Sequence, residues 1–146
     1  MFRGNFEHTI DSKGRVSIPA KFRELLTEKY DNRLIVTWWD GCLYVYPYEE
    51  WTTMEEKINA QSKAKREVKA FKRFFVSGAV ECPIDRLGRI LIPLTLRNYA
   101  KLERDVVFAG QLNYFEIWSK DRWEETIRKV QENSESISDT VADLGI

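Results

Sequence analysis

The sequence predicts an α+β fold built from two tandem repeats with peripheral helices, and three observations predict it. Residues 10–23, IDSKGRVSIPAKFR, return at 84–97 as IDRLGRILIPLTLR, with seven of the fourteen residues identical. A second pair, LYVYPYEEW ending at Trp51 and FEIWSKDRW ending at Trp123, matches at a nearly equal offset. Between these segments the apolar residues switch between strand and helix spacing, so each half reads as strand, tight turn, strand, helix, two strands, helix.

Taken in chain order, residues 2–10 and 15–18 have strand character on either side of Asp11-Ser12-Lys13-Gly14. An aspartate that opens such a turn accepts hydrogen bonds from the backbone two residues on, and Gly14 supplies a positive φ that other residues resist. Asp85 and Gly88 repeat the arrangement. Pro19 and Pro93 suit a first helical position. The helix that follows carries Phe22, Leu25 and Leu26 on one face, answered by Leu96, Tyr99 and Ala100. LIVTWW and CLYVY then form a hairpin about Asp40-Gly41, matched by VVFAG and YFEIW, and Trp51 and Trp123 anchor a terminal helix in each half. Residues 54–75 read as a charged helical linker with a break near Ser62. The segment after about residue 133 has few anchors and is expected to fray. The halves accordingly divide as 1–75 and 76–146, sharing one core.

Lys plus Arg and Asp plus Glu are both 23, so the net charge is zero and no overall field marks an anionic partner. The charge is uneven, however: residues 1–23 carry a net +3, residues 57–73 a net +6 and residues 119–146 a net −3. A neutral chain can therefore present a basic surface. The basic run at 57–73 reads first as a solvated helix face, next as an interface to an acidic helix such as that of Glu124, Glu125 and Glu132, and third as a phosphate contact. No apolar stretch is long enough for a signal peptide core or a membrane span, which leads to the expectation of a cytosolic chain. Cys42 and Cys82 stand outside any CxxC spacing and read as buried, reduced thiols. The single histidine, His8, lies in a strand, and no nucleophile elbow, phosphate loop or zinc-helix spacing is present, so no enzymatic activity and no cofactor are expected.

Folding accounts for Asp11, Gly14, Ile18 and Pro19 and their second copies in the repeated motif, but not for Arg15 and Arg89. Arg15 and Arg89 follow a turn glycine at the mouth of a strand, where a guanidinium can reach a phosphate or the edge of a guanine. Each can also pair with the aspartate four residues before it, and the two roles are compatible.

The paired motifs DSKGRVSIPAKFR and DRLGRILIPLTLR, with LYVYPYEEW and FEIWSKDRW after them, closely resemble the MraZ family of the AbrB-like superfamily, over Met1 to Trp123. The resemblance implies a double-split β-barrel in which two halves of one chain replace two single-repeat chains, one repeat alone burying too little. It implies a sequence-specific DNA-binding regulator of the division and cell wall gene cluster, a cytoplasmic and nucleoid-associated ring that binds direct repeats in double-stranded DNA through the D-x-x-x-R arginine. Here the motif falls on Asp11/Arg15 and Asp85/Arg89. Arg15, Lys13, Arg3, Arg86 and Arg89 are the expected DNA contacts, with Asp11, Gly14, Asp85 and Gly88 in support. The turn tips differ, Lys13 in the first copy and Leu87 in the second, so the first copy is expected to face DNA and the second to be more structural, with Leu87 packed against a neighbouring subunit or another part of the chain. The alternative is an oligomeric interaction protein or antitoxin-like module on the same fold, which the aromatic pair Trp38 and Trp39 would serve if exposed.

Overall fold

A computed structural model describes the whole chain, residues 1–146. The first half contains β1 (Asn5–Thr9), β2 (Arg15–Ser17), α1 (Ala20–Lys29), β3 (Leu34–Trp39), β4 (Cys42–Pro47), α2 (Tyr48–Asn59) and α3 (Arg66–Phe75). The second contains β5 (Val80–Glu81), β6 (Arg89–Leu91), α4 (Leu94–Ala100), β7 (Asp105–Gly110), β8 (Phe115–Ser119), α5 (Lys120–Glu132) and α6 (Ser134–Asp143). Each half follows the predicted order, with its last helix followed by one more. Pro19 and Pro93 sit one residue earlier than predicted, as the extended residues immediately before α1 and α4. The linker helix is broken as expected, between Asn59 and Arg66.

Six strands form one antiparallel sheet in the order β1-β7-β8-β4-β3-β5, and β2 pairs with β6 in a separate two-stranded ribbon. Exchanging each strand for its repeat equivalent reverses this order and leaves it unchanged. The pseudo-two-fold passes between Tyr44 and Glu116 in the sheet and between Val16 and Ile90 in the ribbon. The sheet is not closed, since β1 and β5 are its free edges, so the barrel expected from the family resemblance is not formed by strand pairing. The halves are exchanged rather than stacked: β1 of the first pairs with β7 of the second, and β5 of the second with β3 of the first.

The main core draws on both halves and on both sheets. Val16 and Ile90 point inward from the ribbon to meet Phe22, Leu26, Val36, Leu43, Val106 and Phe115, all at most 2% exposed. Alternation along short strands produces this: Val16 is buried between half-buried Arg15 and Ser17. A second cluster lies under α3, where Phe71 and Phe75 stack against each other and pack on Trp39 and Trp51. Trp38 is not a free surface aromatic; its indole donates to the Phe74 carbonyl at 2.7 Å and stacks on the Phe74 ring. Cys42 and Cys82 are free and buried, and burial pushes the Cys82 thiol up to about 11. Where the sequence predicts a frayed end, residues 134–143 form α6, although the lack of anchors is real: none of its residues is buried.

Candidate nucleic-acid interface

The two repeated turns build the site. Asp11 Oδ1 accepts from the backbone N–H groups of Lys13 at 3.0 Å and Arg15 at 2.9 Å, while Gly14 closes the turn at φ +95°. Asp85 does the same with Leu87 and Arg89, with Gly88 at φ +79°. Each turn then hydrogen-bonds to the other repeat: Gly14 O accepts from Ile92 N at 2.8 Å and Gly88 O from Ile18 N at 2.9 Å.

These bonds zip β2 to β6 in a register that places Arg15 opposite Leu91 and Ser17 opposite Arg89. With Val16 and Ile90 turned into the core, Arg15, Ser17, Arg89 and Leu91 all face outward. The arginines are therefore diagonal neighbours on one surface, roughly 7 to 8 Å apart at the α-carbons. The arginine of the expected DNA-facing first copy and that of the expected structural second copy thus share one face.

Each arginine is both paired and available. Arg15 Nε donates to Asp11 Oδ2 at 2.8 Å, and Arg89 Nε to Asp85 Oδ2 at 3.3 Å. Neither arginine uses its two terminal nitrogens in a hydrogen bond within the chain. The side-chain fork is thus aimed from one side and free on the other, which is the compatible case of the two roles. The Arg15 backbone N–H, followed by its side chain, holds the Asp11 carboxyl down at about 2; Asp85 is lowered in the same way, led by the Arg89 backbone. Both carboxylates therefore stay ionised throughout the neutral range.

Of the other expected contacts, Lys13 is exposed at the first turn tip and free of ion pairs. Arg86 is exposed at the second tip and lines a cleft with Arg23 and Asp85. Arg3 lies apart from them, eight residues of mostly extended chain before Asp11, or roughly 25 Å, beside the Phe2–Leu112 bridge at the other end of β1. Leu87 is 68% exposed and joins none of the hydrophobic clusters. Leu91 and Leu94 are exposed too, so the second copy shows three leucines where the first shows Lys13, Ser17 and Ala20.

Two features escape sequence reasoning. Arg104 joins Arg15 and Arg89 in lining a cleft of about 570 Å³, brought there because its carbonyl accepts from Ile10 N at 2.8 Å; it belongs to no repeated motif. The repeated pair Arg23 and Arg97, identical but unexplained in the motif, packs each on the glycine of the opposite turn. A Cβ on Gly14 would stand 2.6 Å from Ile92 O and 2.7 Å from Arg97 Nε, and one on Gly88 would collide with Arg23 Nη1. Arg97 Nε also donates to Ile92 O at 2.9 Å. Their identity across the repeats was the available signal.

His8 keeps an ordinary strand position with its ring edge on Phe108. No three His, Cys, Asp or Glu side chains are grouped to hold a metal ion, and no helix is long and apolar enough to cross a membrane.

Comparison with known proteins fits this two-fold construction. The family model described as "MraZ protein, putative antitoxin-like" matches twice, over residues 1–74 and 75–144. The chain belongs to the MraZ family. It is 49% identical over its full length to a protein of Thermoanaerobacter sp. (strain X514) named transcriptional regulator MraZ, with all of both chains covered. It is 46% identical to the protein of that name from Pediococcus pentosaceus and 44% identical to that from Ligilactobacillus salivarius, each again covered end to end. The two family matches meet between Phe74 and Phe75, at the end of α3, so α3 closes the first MraZ repeat as α6 closes the second.

Proposed function

We propose that the chain is a transcriptional regulator that reads the major groove of double-stranded DNA with the β2–β6 ribbon. The relatives' name supports regulation of transcription as its role. One observation carries the DNA reading: two arginines on the outward face of a single antiparallel ribbon, each held at Nε by an aspartate with its terminal nitrogens free. The major groove admits a two-stranded ribbon, and an arginine fork matches the O6 and N7 acceptors of guanine. Arg104 and Lys13 flank the ribbon as phosphate contacts, which position rather than specify. Arg86 serves the same purpose at the second turn, and Arg3 contributes from the far end of β1.

The open sheet and the ribbon form a split barrel closed by side-chain packing, with Val16 and Ile90 as the closing contacts. With zero net charge, a single chain grips DNA weakly. Assembly into a ring that presents several ribbons to evenly spaced direct repeats supplies the missing affinity through effective concentration. The division and cell wall gene cluster is the locus implied by the family resemblance. Titration of DNA from upstream of the chain's own gene, carrying one to four copies of the protected site, tests this: affinity climbs with copy number and drops when the spacing shifts by half a helical turn. A flat response removes the ring mechanism, and no footprint at all removes the DNA reading.

The exposed trio Leu87, Leu91 and Leu94 beside Arg15 favours a second reading, an antitoxin-like module that holds a protein partner on this face. Retention on random DNA at low salt, with steep release as salt rises, separates the two.

A further inference from the structure

Each repeat ends in a pair of helices, but the final members differ in charge and in packing. α3 is held down by Phe71, Phe74 and Phe75; six bases and one acid lie exposed between Lys63 and Arg73, four of the bases on α3 itself, and none is in an ion pair. α6 buries nothing, and from Ser134 to the end of the chain there are three acids and no base. Those acids, Glu135, Asp139 and Asp143, recur every four residues, which puts them in one stripe. Lys69 and Arg73 have the same spacing on α3, and Lys65 stands four residues before Lys69 at the helix N-cap. Each set covers eight residue steps, about 12 Å at the helical rise. The acids of α5 are partly spent, since Glu125 and Glu132 bind Arg128, whereas those of α6 have no cation within reach.

We infer that α6 of one copy docks along α3 of the next, Glu135 to Arg73, Asp139 to Lys69 and Asp143 to Lys65, and that this contact links the chains head to tail. The antiparallel direction sets the negative end of α6 against the positive end of α3, so the helix dipoles agree with the side chains. It also carries Leu144 and Ile146, 70% and 87% exposed just past the helix, toward the Val68 end of a groove of about 430 Å³ floored by Val68 and Val76. A ten-residue helix with no buried face has little stability of its own in water, and a partner groove supplies what it lacks. The occupant is a second copy because one chain carries both stripes in matching register, and no ion pair joins them within it. Joining two different surfaces of identical chains propagates instead of closing a two-fold dimer. This inference rests on the self-assembly part of the proposed function, not on the DNA-reading part.

The test uses the full chain and measures mass by light scattering. Lys69→Asp and Asp139→Lys, each on an exposed side chain, should each move the mass toward the monomer with an unchanged melting temperature. Combined, they should restore the parent mass, and the parent itself should dissociate as salt rises. An oligomeric parent whose mass ignores both reversals, or a double variant that fails to reassemble, refutes this interface while leaving assembly intact. A parent that is monomeric at every concentration refutes assembly itself. Loss of DNA retention in Lys69→Asp with its mass unchanged would assign α3 to phosphate contact and overturn the proposal. Arg15→Ala, by contrast, should lose DNA at unaltered mass.

Discussion

Replacing Arg15 by lysine keeps the positive charge at the ribbon while removing the planar fork, and so separates base reading from phosphate contact. The wild-type fork is free at both terminal nitrogens, and a good bidentate contact to guanine discriminates by about 1 to 3 kcal/mol. At 1.4 kcal/mol per tenfold, Arg15→Lys should cut the ratio of specific to random-DNA affinity by roughly 5- to 150-fold for each engaged subunit. The slope of affinity against salt should stay the same, because no charge is lost. Arg15→Ala should lose both. Arg89 shares the outward face of the same ribbon, so Arg89→Lys should cost a comparable factor. The α-carbon separation of roughly 7 to 8 Å between diagonal neighbours spans about two base steps of 3.4 Å each. The two forks should therefore meet guanines about two steps apart. Fluorescence anisotropy with 7-deazaguanine placed at each position in turn maps them, since this base lacks the N7 acceptor: two sensitive positions, each silenced by one of the two lysine variants. Unaltered specificity in Arg15→Lys, or sensitivity at one position alone, would refute the paired-fork reasoning.

Gly14→Val and Gly88→Val should each lower the melting temperature, since a branched side chain meets both a positive φ and a neighbour inside contact distance; the cost is about 1 to 3 kcal/mol for the backbone strain alone. Glu116 is 9% exposed and accepts from Trp118 Nε1 and Gln111 Nε2, and burial raises its carboxyl above the ordinary value. Its charged form thus opposes folding at neutral pH, so Glu116→Gln should raise the melting temperature at pH 7, and the gain should vanish below about pH 4, where the wild-type carboxyl is protonated in both folded and unfolded chains. The Asp11 carboxyl is depressed, so its support of the first turn is complete above the ordinary aspartate value of about 3.9 and is lost as the pH falls through about 2. Carbon NMR of the Asp11 carboxyl should follow that titration, and a midpoint near 4 would refute the hydrogen-bonded turn.

Much of this architecture is legible locally. Asp11 and Gly14 announce their turn by residue type, Phe22 and Leu26 announce the buried face of α1 by spacing, and Asp40-Gly41 announces a hairpin, because each depends on neighbours a few residues away. Partner choice is not local. Nothing in the spacing of β1 says that it pairs with β7, far along the chain from the hairpin it could have made with β2, or that the open edges fall at β1 and β5. The same limit hid Arg97, which packs on Gly14, a glycine of the other repeat. Arg104 was invisible for a related reason, being delivered by one long-range backbone bond. Whether Trp38 and Trp39 are exposed was likewise not legible, because their cover comes from Phe74 and Phe71 of the linker helix, which charge alone marked as solvated.

The exchanged ribbon has a consequence for how such a surface changes over time. A homodimer of single repeats carries every substitution twice, on both sides of its axis, and so can improve one side only by altering the other. Here the sides are separate stretches of one chain, and they differ: Lys13, Ser17 and Ala20 answer Leu87, Leu91 and Leu94, while the turn aspartates, glycines and arginines between them match. Covalent linkage has let a symmetric scaffold acquire a left and a right. A surface laid along this ribbon meets two unlike ends.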